Sequence, residues 1–182
     1  MARILVRETW RVGSVTAAVY DAPMADPTLE PILTSADRDL LAESRTAILA
    51  TLDPNGRPRL VPCCFAADPD RDRIWTPIDE KPKSSADPRQ LGRVADLASW
   101  PVVSLLVDRW SEDWSKLAWL RLHGTAVLLE PADSSTPTLD ERRLAIDLLR
   151  RRYPQYRGHD LEARPVIVIE ITAAVRWAAA DG

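Results

Sequence analysis

The stretch TAILATLDPNGRPRLVPCCFAADPDRDRIWTPI, residues 46–78, decides the fold class. Its apolar residues recur with period two, the pattern of half-buried strands. TAILATL (46–52) reads as a strand, and Asp53-Pro54-Asn55-Gly56 as a tight turn in which Pro sets φ and Gly accepts φ > 0. RLVPCCFAA (59–67) returns antiparallel, Asp68–Asp72 turns again, and RIWTPI (73–78) makes a third strand. Hairpin rules join the three into a meander.

Working outward, Thr34 with Asp37 predicts a capped helix over Thr34–Ser44 that turns Leu40 and Leu41 to a core. After the meander comes a polar connector, Asp79–Ala86. The next helix is expected to open at Asp87 as cap, with Pro88 first and Gln90 closing a capping box. Its apolar stripe is Leu91, Val94, Ala95 and Ala98, and Trp100-Pro101 stops it. Strands follow at 101–110 and 118–130, with Gly124 marking a bulge or a close approach. Thr138 and Glu141 predict a capping box for a helix running to Arg152. Its terminal Arg150, Arg151 and Arg152 read as a solvated helix end. A sixth strand spans 165–172, extended by AVRWAA past a bend. Six hairpin-linked strands and three short helices imply a mainly β (α+β) fold. The expected form is an antiparallel β-barrel with peripheral helices, because closure removes sheet edges.

The 182 residues suit about one domain of ~150 residues with an extension. Residues 1–34 read as an N-terminal extension, either an arm over the domain or an overlong start; residues 35–182 form the domain. A net charge of −3 argues against a bulk nucleic-acid binder. No stretch approaches the ~18 apolar residues of a membrane span. The only two cysteines, Cys63 and Cys64, are adjacent, so they cannot build a disulfide framework, and a reducing cytoplasm is the expected compartment. Their opposite directions on a strand let one at most face a given pocket, and inert thiols are expected. His123 and His159 lack metal-ligand spacing, so no metal site is expected. There is no G-x-S-x-G, Walker loop or G-x-G-x-x-G.

Two features carry chemistry. Asp79-Glu80-Lys81-Pro82-Lys83-Ser84-Ser85 leaves the third strand with two ammonium groups and two hydroxyls, a phosphate or anion clamp stiffened by Pro82. Trp110, Trp114 and Trp119 crowd with Arg109, Lys116 and Arg121, which suits stacking on a planar ring, an oligomer interface, or both.

The strings TAILATLDPNGRPRLVPCCFA, RIWTPIDEKPKSS and LGRVADLASWPVVSLLVDRWSEDWSKLAWLRLHGTA resemble one branch of the split β-barrel flavin/deazaflavin oxidoreductases. That superfamily includes the pyridoxamine 5'-phosphate oxidase-like proteins, and the branch is its F420-dependent oxidoreductases. The resemblance covers roughly residues 40–178. It implies an FMN-binding-type split barrel and a homodimer with cofactor sites at the subunit interface. It implies that Lys81 and Lys83, with Ser84 or Ser85, hold the cofactor phosphate. Leu60 to Cys64, including Val61, Pro62 and Cys63, and Trp75, Thr76, Pro77 and Ile78 would lie along the ring, largely through backbone groups. Trp114, Trp119 or Arg121 would reach the site from the partner chain. The implied activity is hydride transfer between a deazaflavin and a small electrophilic molecule; FMN in its place, or a carrier without turnover, are the alternatives. No catalytic side chain is implied. The sequence departs from the family at Asp96, where Asn is common, and at Trp100-Pro101-Val102, where Asn-Pro-Arg is common. A carboxylate at 96 repels a phosphate unless it is paired or faces away.

Overall fold

The computed structural model describes residues 31–79, 87–133 and 135–179. The expectations for residues 1–30 lie outside these. Seven strands form one antiparallel sheet: β1 (Ala47–Leu52), β2 (Pro58–Cys63), β3 (Ala66–Ala67), β4 (Arg73–Pro77), β5 (Val102–Arg109), β6 (Ala118–Leu129) and β7 (Val166–Ala178). Their order is β2-β1-β5-β6-β7-β4-β3. The sequence neighbours β2 and β3 occupy opposite ends of that order, so the chain between them curls the sheet into a split barrel.

The count is seven, not six, because the expected 59–67 strand breaks at Cys64–Phe65. Its first part pairs with β1 and its last with β4. At the break the backbone of Phe65 bonds a side chain: its N–H donates to the Tyr153 hydroxyl (3.1 Å), which also lies 2.9 Å from the Phe65 carbonyl. The turn at 53–56 is as expected, with Gly56 at φ 74° and its N–H on the Asp53 carbonyl at 2.8 Å.

Helix α1 (Ser35–Glu43) carries the expected box: Asp37 N–H donates to Thr34 Oγ1 and Thr34 N–H to the Asp37 carboxylate. Ahead of it, Ile32 and Leu33 donate backbone N–H groups to Asp72, and Leu33 is buried. The other two helix starts differ from expectation. Helix α2 (Gly92–Ser99) takes Leu91 as N-cap, because Pro88–Gln90 forms a separate 3-10 turn whose Arg89 N–H donates to Asp87. Its buried face is Leu91, Val94, Asp96 and Leu97, while Ala95 and Ala98 are exposed. Helix α3 (Thr136–Arg152) starts two residues before Thr138, with Ser135 as N-cap. Glu141 is therefore inside the helix, and it is buried. The arginines at the end of α3 are not simply solvated. Arg150 pairs with Glu162 (2.5 Å), and Arg152 donates to the Leu41 and Ser44 carbonyls.

Two cores flank the strands. Ile74, Ile78, Leu49, Val107, Leu122, Ile167 and Ile169 fill the barrel with α1 and α2. Trp75, Val166 and Val168 pack outward on Leu149, Tyr153 and Tyr156. Burial on both faces accounts for the unbroken apolar run VIVI (166–169) in β7. Among the described residues, no helix is long and apolar enough to cross a membrane.

Gly124 sits at the register shift in β6, as expected of a bulge, and it is also a close approach. A Cβ there would stand 2.3 Å from the Glu170 carbonyl oxygen and 2.9 Å from Ile169 Cγ2. The oxygen is backbone and cannot turn aside. Gly124→Ala is expected to lower the chemical-denaturation midpoint by an amount equivalent to about 1–3 kcal/mol; an unchanged midpoint would show that β7 yields freely.

Candidate functional site

The split in the barrel leaves two strand edges open. Among the described residues β2 pairs only with β1, and β3 meets β4 only at Ile74 and Trp75. Among the described residues no strand pairs with that side of β4 beyond Trp75. Pro58, Pro62 and Pro77 sit where a missing N–H breaks no ladder inside the sheet. Across the seam the Cys63 thiol is near enough to the Thr76 side chain for the latter to act on it, and burial pushes the thiol's pKa up, against a thiolate nucleophile. Cys63 packs against the barrel core and Cys64 against the outer core, the opposite facing expected of adjacent strand residues.

Lys81, Lys83, Ser84 and Ser85 lie outside the described residues. The point from which their segment leaves is described. Asp79, two residues past the end of β4, is buried and accepts a hydrogen bond from the Tyr156 hydroxyl at 3.0 Å. Burial, with Cys64 and Asp79 beside it, pushes the Tyr156 phenol above its usual range. Tyr156 meets Tyr153 edge-on, ring centroids 5.5 Å apart. Through these two tyrosines, the chain at the end of α3 holds both the Phe65 break and the Asp79 departure point. Sequence reading missed this pair. The available signal was two aromatics with polar tips flanking Pro154, next to a helix end.

The remaining candidates divide between two faces. Val61 and Cys63 pair opposite buried Leu49 and Ala47, whereas Pro62 lies on the outer face opposite Ile48. Trp75, Thr76 and Ile78 have buried side chains; the Trp75 indole N–H donates to Glu141 at 2.6 Å. What β4 offers along its open edge is backbone. Trp114, in the β5–β6 connection, is 71% exposed. Arg121 is on the outer face, its guanidinium 5.8 Å from the Trp119 ring centroid. Of the other cations in that span, Arg109 pairs with Glu43 and Lys116 with Asp113. Arg121 is three strands from Pro62 along one register row, about 14 Å. One chain therefore brings together the ends of β2 and β4 but leaves Trp114 and Arg121 on a different surface.

Asp96 does not face an anion site. It is 1% exposed and accepts from Thr51 Oγ1 and Arg59 Nε, each at 2.7 Å. That pairing removes the repulsion an unpaired carboxylate would exert.

Residues 33–178 match the family described as Pyridoxamine 5'-phosphate oxidase. Among solved structures, the chain is similar to the conserved hypothetical protein Rv2991 from Mycobacterium tuberculosis, with 19% identity, TM-score 0.60 and coverage of 82% of this chain and 87% of that one. It is similar to a FAD-binding protein from Mesorhizobium loti, with 16% identity, TM-score 0.56 and coverage of 79% and 94%. It is also similar to HutZ, the heme storage protein from Vibrio cholerae, with 14% identity, TM-score 0.57 and coverage of 82% and 95%. Among curated proteins, none matches the sequence.

Proposed function

The chain belongs to the pyridoxamine 5'-phosphate oxidase family, and from that premise we propose that it is an F420-dependent oxidoreductase acting on a small electrophilic organic substrate. The observation that carries the reading is the pair of open backbone edges at the ends of β2 and β4, beside the fixed Asp79 from which the Lys81–Ser85 clamp leaves. A tricyclic ring with a pyrimidinedione edge offers alternating donors and acceptors, and a free strand edge presents the same kinds of group. The donor set thus fits a flat redox ring with an anionic tail. The preference for the deazaflavin over FMN rests on the resemblance that the D-x-K-P-K-S and E-D-W-S-x-L-x-W-x-R-x-x-G strings carry.

The bound cofactor would supply the hydride chemistry. The protein's part is placement. Backbone at the ends of β2 and β4 would hold the ring edge, Lys81 and Lys83 with Ser84 or Ser85 the phosphate. No side chain acts as a nucleophile in this reading.

A second copy of the chain completes the site. The outer face of β2-β1-β5-β6-β7 shows two unbroken rows: Pro62, Ile48, Leu106, Arg121, Val175 and Leu60, Ala50, Ser104, His123, Ala173. Leu60 is 64% exposed on it, and Val102 nearby 62%. An apolar sheet face of this extent suits a homodimer, which would carry Trp114 and Arg121 of one chain toward the β2/β4 seam of the other.

Titration with coenzyme F420, FMN and heme, followed by tryptophan fluorescence, tests the reading. Saturable binding of F420 tighter than of the other two, by a dimer in sedimentation, is the expected result. Binding of none, or preference for heme, would overturn it. Tight F420 binding without hydride transfer to any acceptor would replace the enzyme with a carrier.

A further inference from the structure

We propose that a cavity between helix α3 and the segment leading into β7 is a second small-molecule site, which takes an aliphatic amino acid as its zwitterion. None of its lining residues belongs to the barrel seam, so the inference does not depend on the cofactor reading.

The cavity has a volume of about 300 Å³, at the small end of the range for ligand pockets. Leu139, Arg142, Arg143, Ile146 and Asp147 of α3 line it, with Glu162 from the segment before β7. Positions 139, 142 and 146 follow one stripe of the helix, and 143 and 147 the stripe beside it. Ile146 is buried and Leu139 half-buried, so the first stripe supplies an apolar wall.

Two opposite charges of the lining are uncommitted. Arg142 is 6% exposed. Both of its hydrogen bonds leave from Nη2, to the carbonyls of Glu162 and Arg164, each at 3.0 Å. Among the described residues it has no carboxylate partner. The Glu162 carboxylate is taken by Arg150 at 2.5 Å and that of Glu130 by Arg89 at 3.0 Å. Its Nε is buried without an acceptor, which leaves Nη1 as the donor that the cavity can reach. A buried guanidinium with unfilled donors costs stability, and burial weakens its hold on the proton. The opposite charge is Asp147. It is exposed and, among the described residues, makes no hydrogen bond or ion pair. Arg150 is near enough to act on it but is bonded to Glu162, and Arg143 is paired with Asp140 at 3.2 Å.

Charge selects the ligand class. An anion would meet the carboxylates of Asp147 and Glu162, and a cation would meet Arg142 and Arg143. A zwitterion sets its carboxylate on Arg142 and its ammonium on Asp147, and so matches both. Five residues of helix separate the two by a rise of about 7–8 Å. An amino-acid head group with a hydrogen bond at each end spans that distance, and the wall of Leu139 and Ile146 takes an aliphatic side chain. No serine, cysteine or histidine lines the cavity, so its role is binding and not turnover.

Isothermal titration of the full-length protein with L-leucine tests the proposal. Two comparators run beside it: isocaproate, which lacks the ammonium, and isoamylamine, which lacks the carboxylate. Saturable binding of leucine is expected, with each comparator weaker by about tenfold or more, the loss of one charge-assisted contact. Asp147→Asn, a change at an exposed position, should leave the melting temperature unaltered. It should weaken leucine about tenfold and leave isocaproate unchanged. No saturable leucine binding, equal affinity for the three ligands, or wild-type leucine affinity in Asp147→Asn would each overturn the proposal. Competition between leucine and excess FMN would place the amino acid in the seam and overturn it as well; binding that FMN leaves unchanged supports the separate cavity.

Discussion

Glu141→Ala is expected to destabilise the fold by about 3–5 kcal/mol, the range for removing one member of a buried ion pair. Glu141 is buried on α3 and faces β4. One carboxylate oxygen accepts the Trp75 indole N–H at 2.6 Å. The other accepts from Arg73 at 2.5 Å and Arg71 at 3.3 Å. Arg73 also pairs with Glu170 on β7, and Arg71 with Asp68 in the preceding turn. Truncation strands a buried indole N–H and removes a carboxylate that offsets the buried charge of Arg73. Glu141→Gln keeps an acceptor for the indole and is expected to cost less. Urea denaturation monitored by tryptophan fluorescence reads both variants. A loss below about 1 kcal/mol for the alanine variant would mean that water replaces the carboxylate and that α3 is not tied to β4 through this residue.

The Lys81→Ala, Lys83→Ala double variant is expected to raise the cofactor dissociation constant about 100-fold. Hydrogen bonds to charged groups contribute about 1.5–3 kcal/mol each, and two losses in one network add incompletely. About 2.7 kcal/mol corresponds to the hundredfold change. The loss should be selective for ligands bearing the phosphate, and the melting temperature without ligand should hold. An unchanged dissociation constant would remove the clamp from the account.

Strand content and order of elements were legible because strand alternation is a local signal. The β1–β2 and β3–β4 hairpins within 46–78, the Thr34–Asp37 box and the Gly124 bulge all follow from residue types a few positions apart, whereas the expected joining of the hairpins into one meander does not occur in the sheet order. The clamp segment and the tryptophan-rich span were visible as motifs for the same reason. Helix starts were less legible. Thr138 with Glu141 satisfies the spacing of a capping box, yet Glu141 was captured by two arginines and an indole from β4 and the turn before it. Asp96 on α2 was likewise drawn in by Thr51 and Arg59, which rotated the buried face away from Ala95 and Ala98.

What the chain's sequence determined by itself was the alternation, the turns, the split-barrel family and the lysine-serine string, since each depends on neighbours along the chain. Only the tertiary structure decided that Cys64–Phe65 breaks a strand, that Tyr156 holds Asp79, and that Asp96 is taken by Thr51 and Arg59. In each of those cases the deciding energy is a hydrogen bond or ion pair between residues tens of positions apart. Such pairings exist only once the sheet has closed on itself.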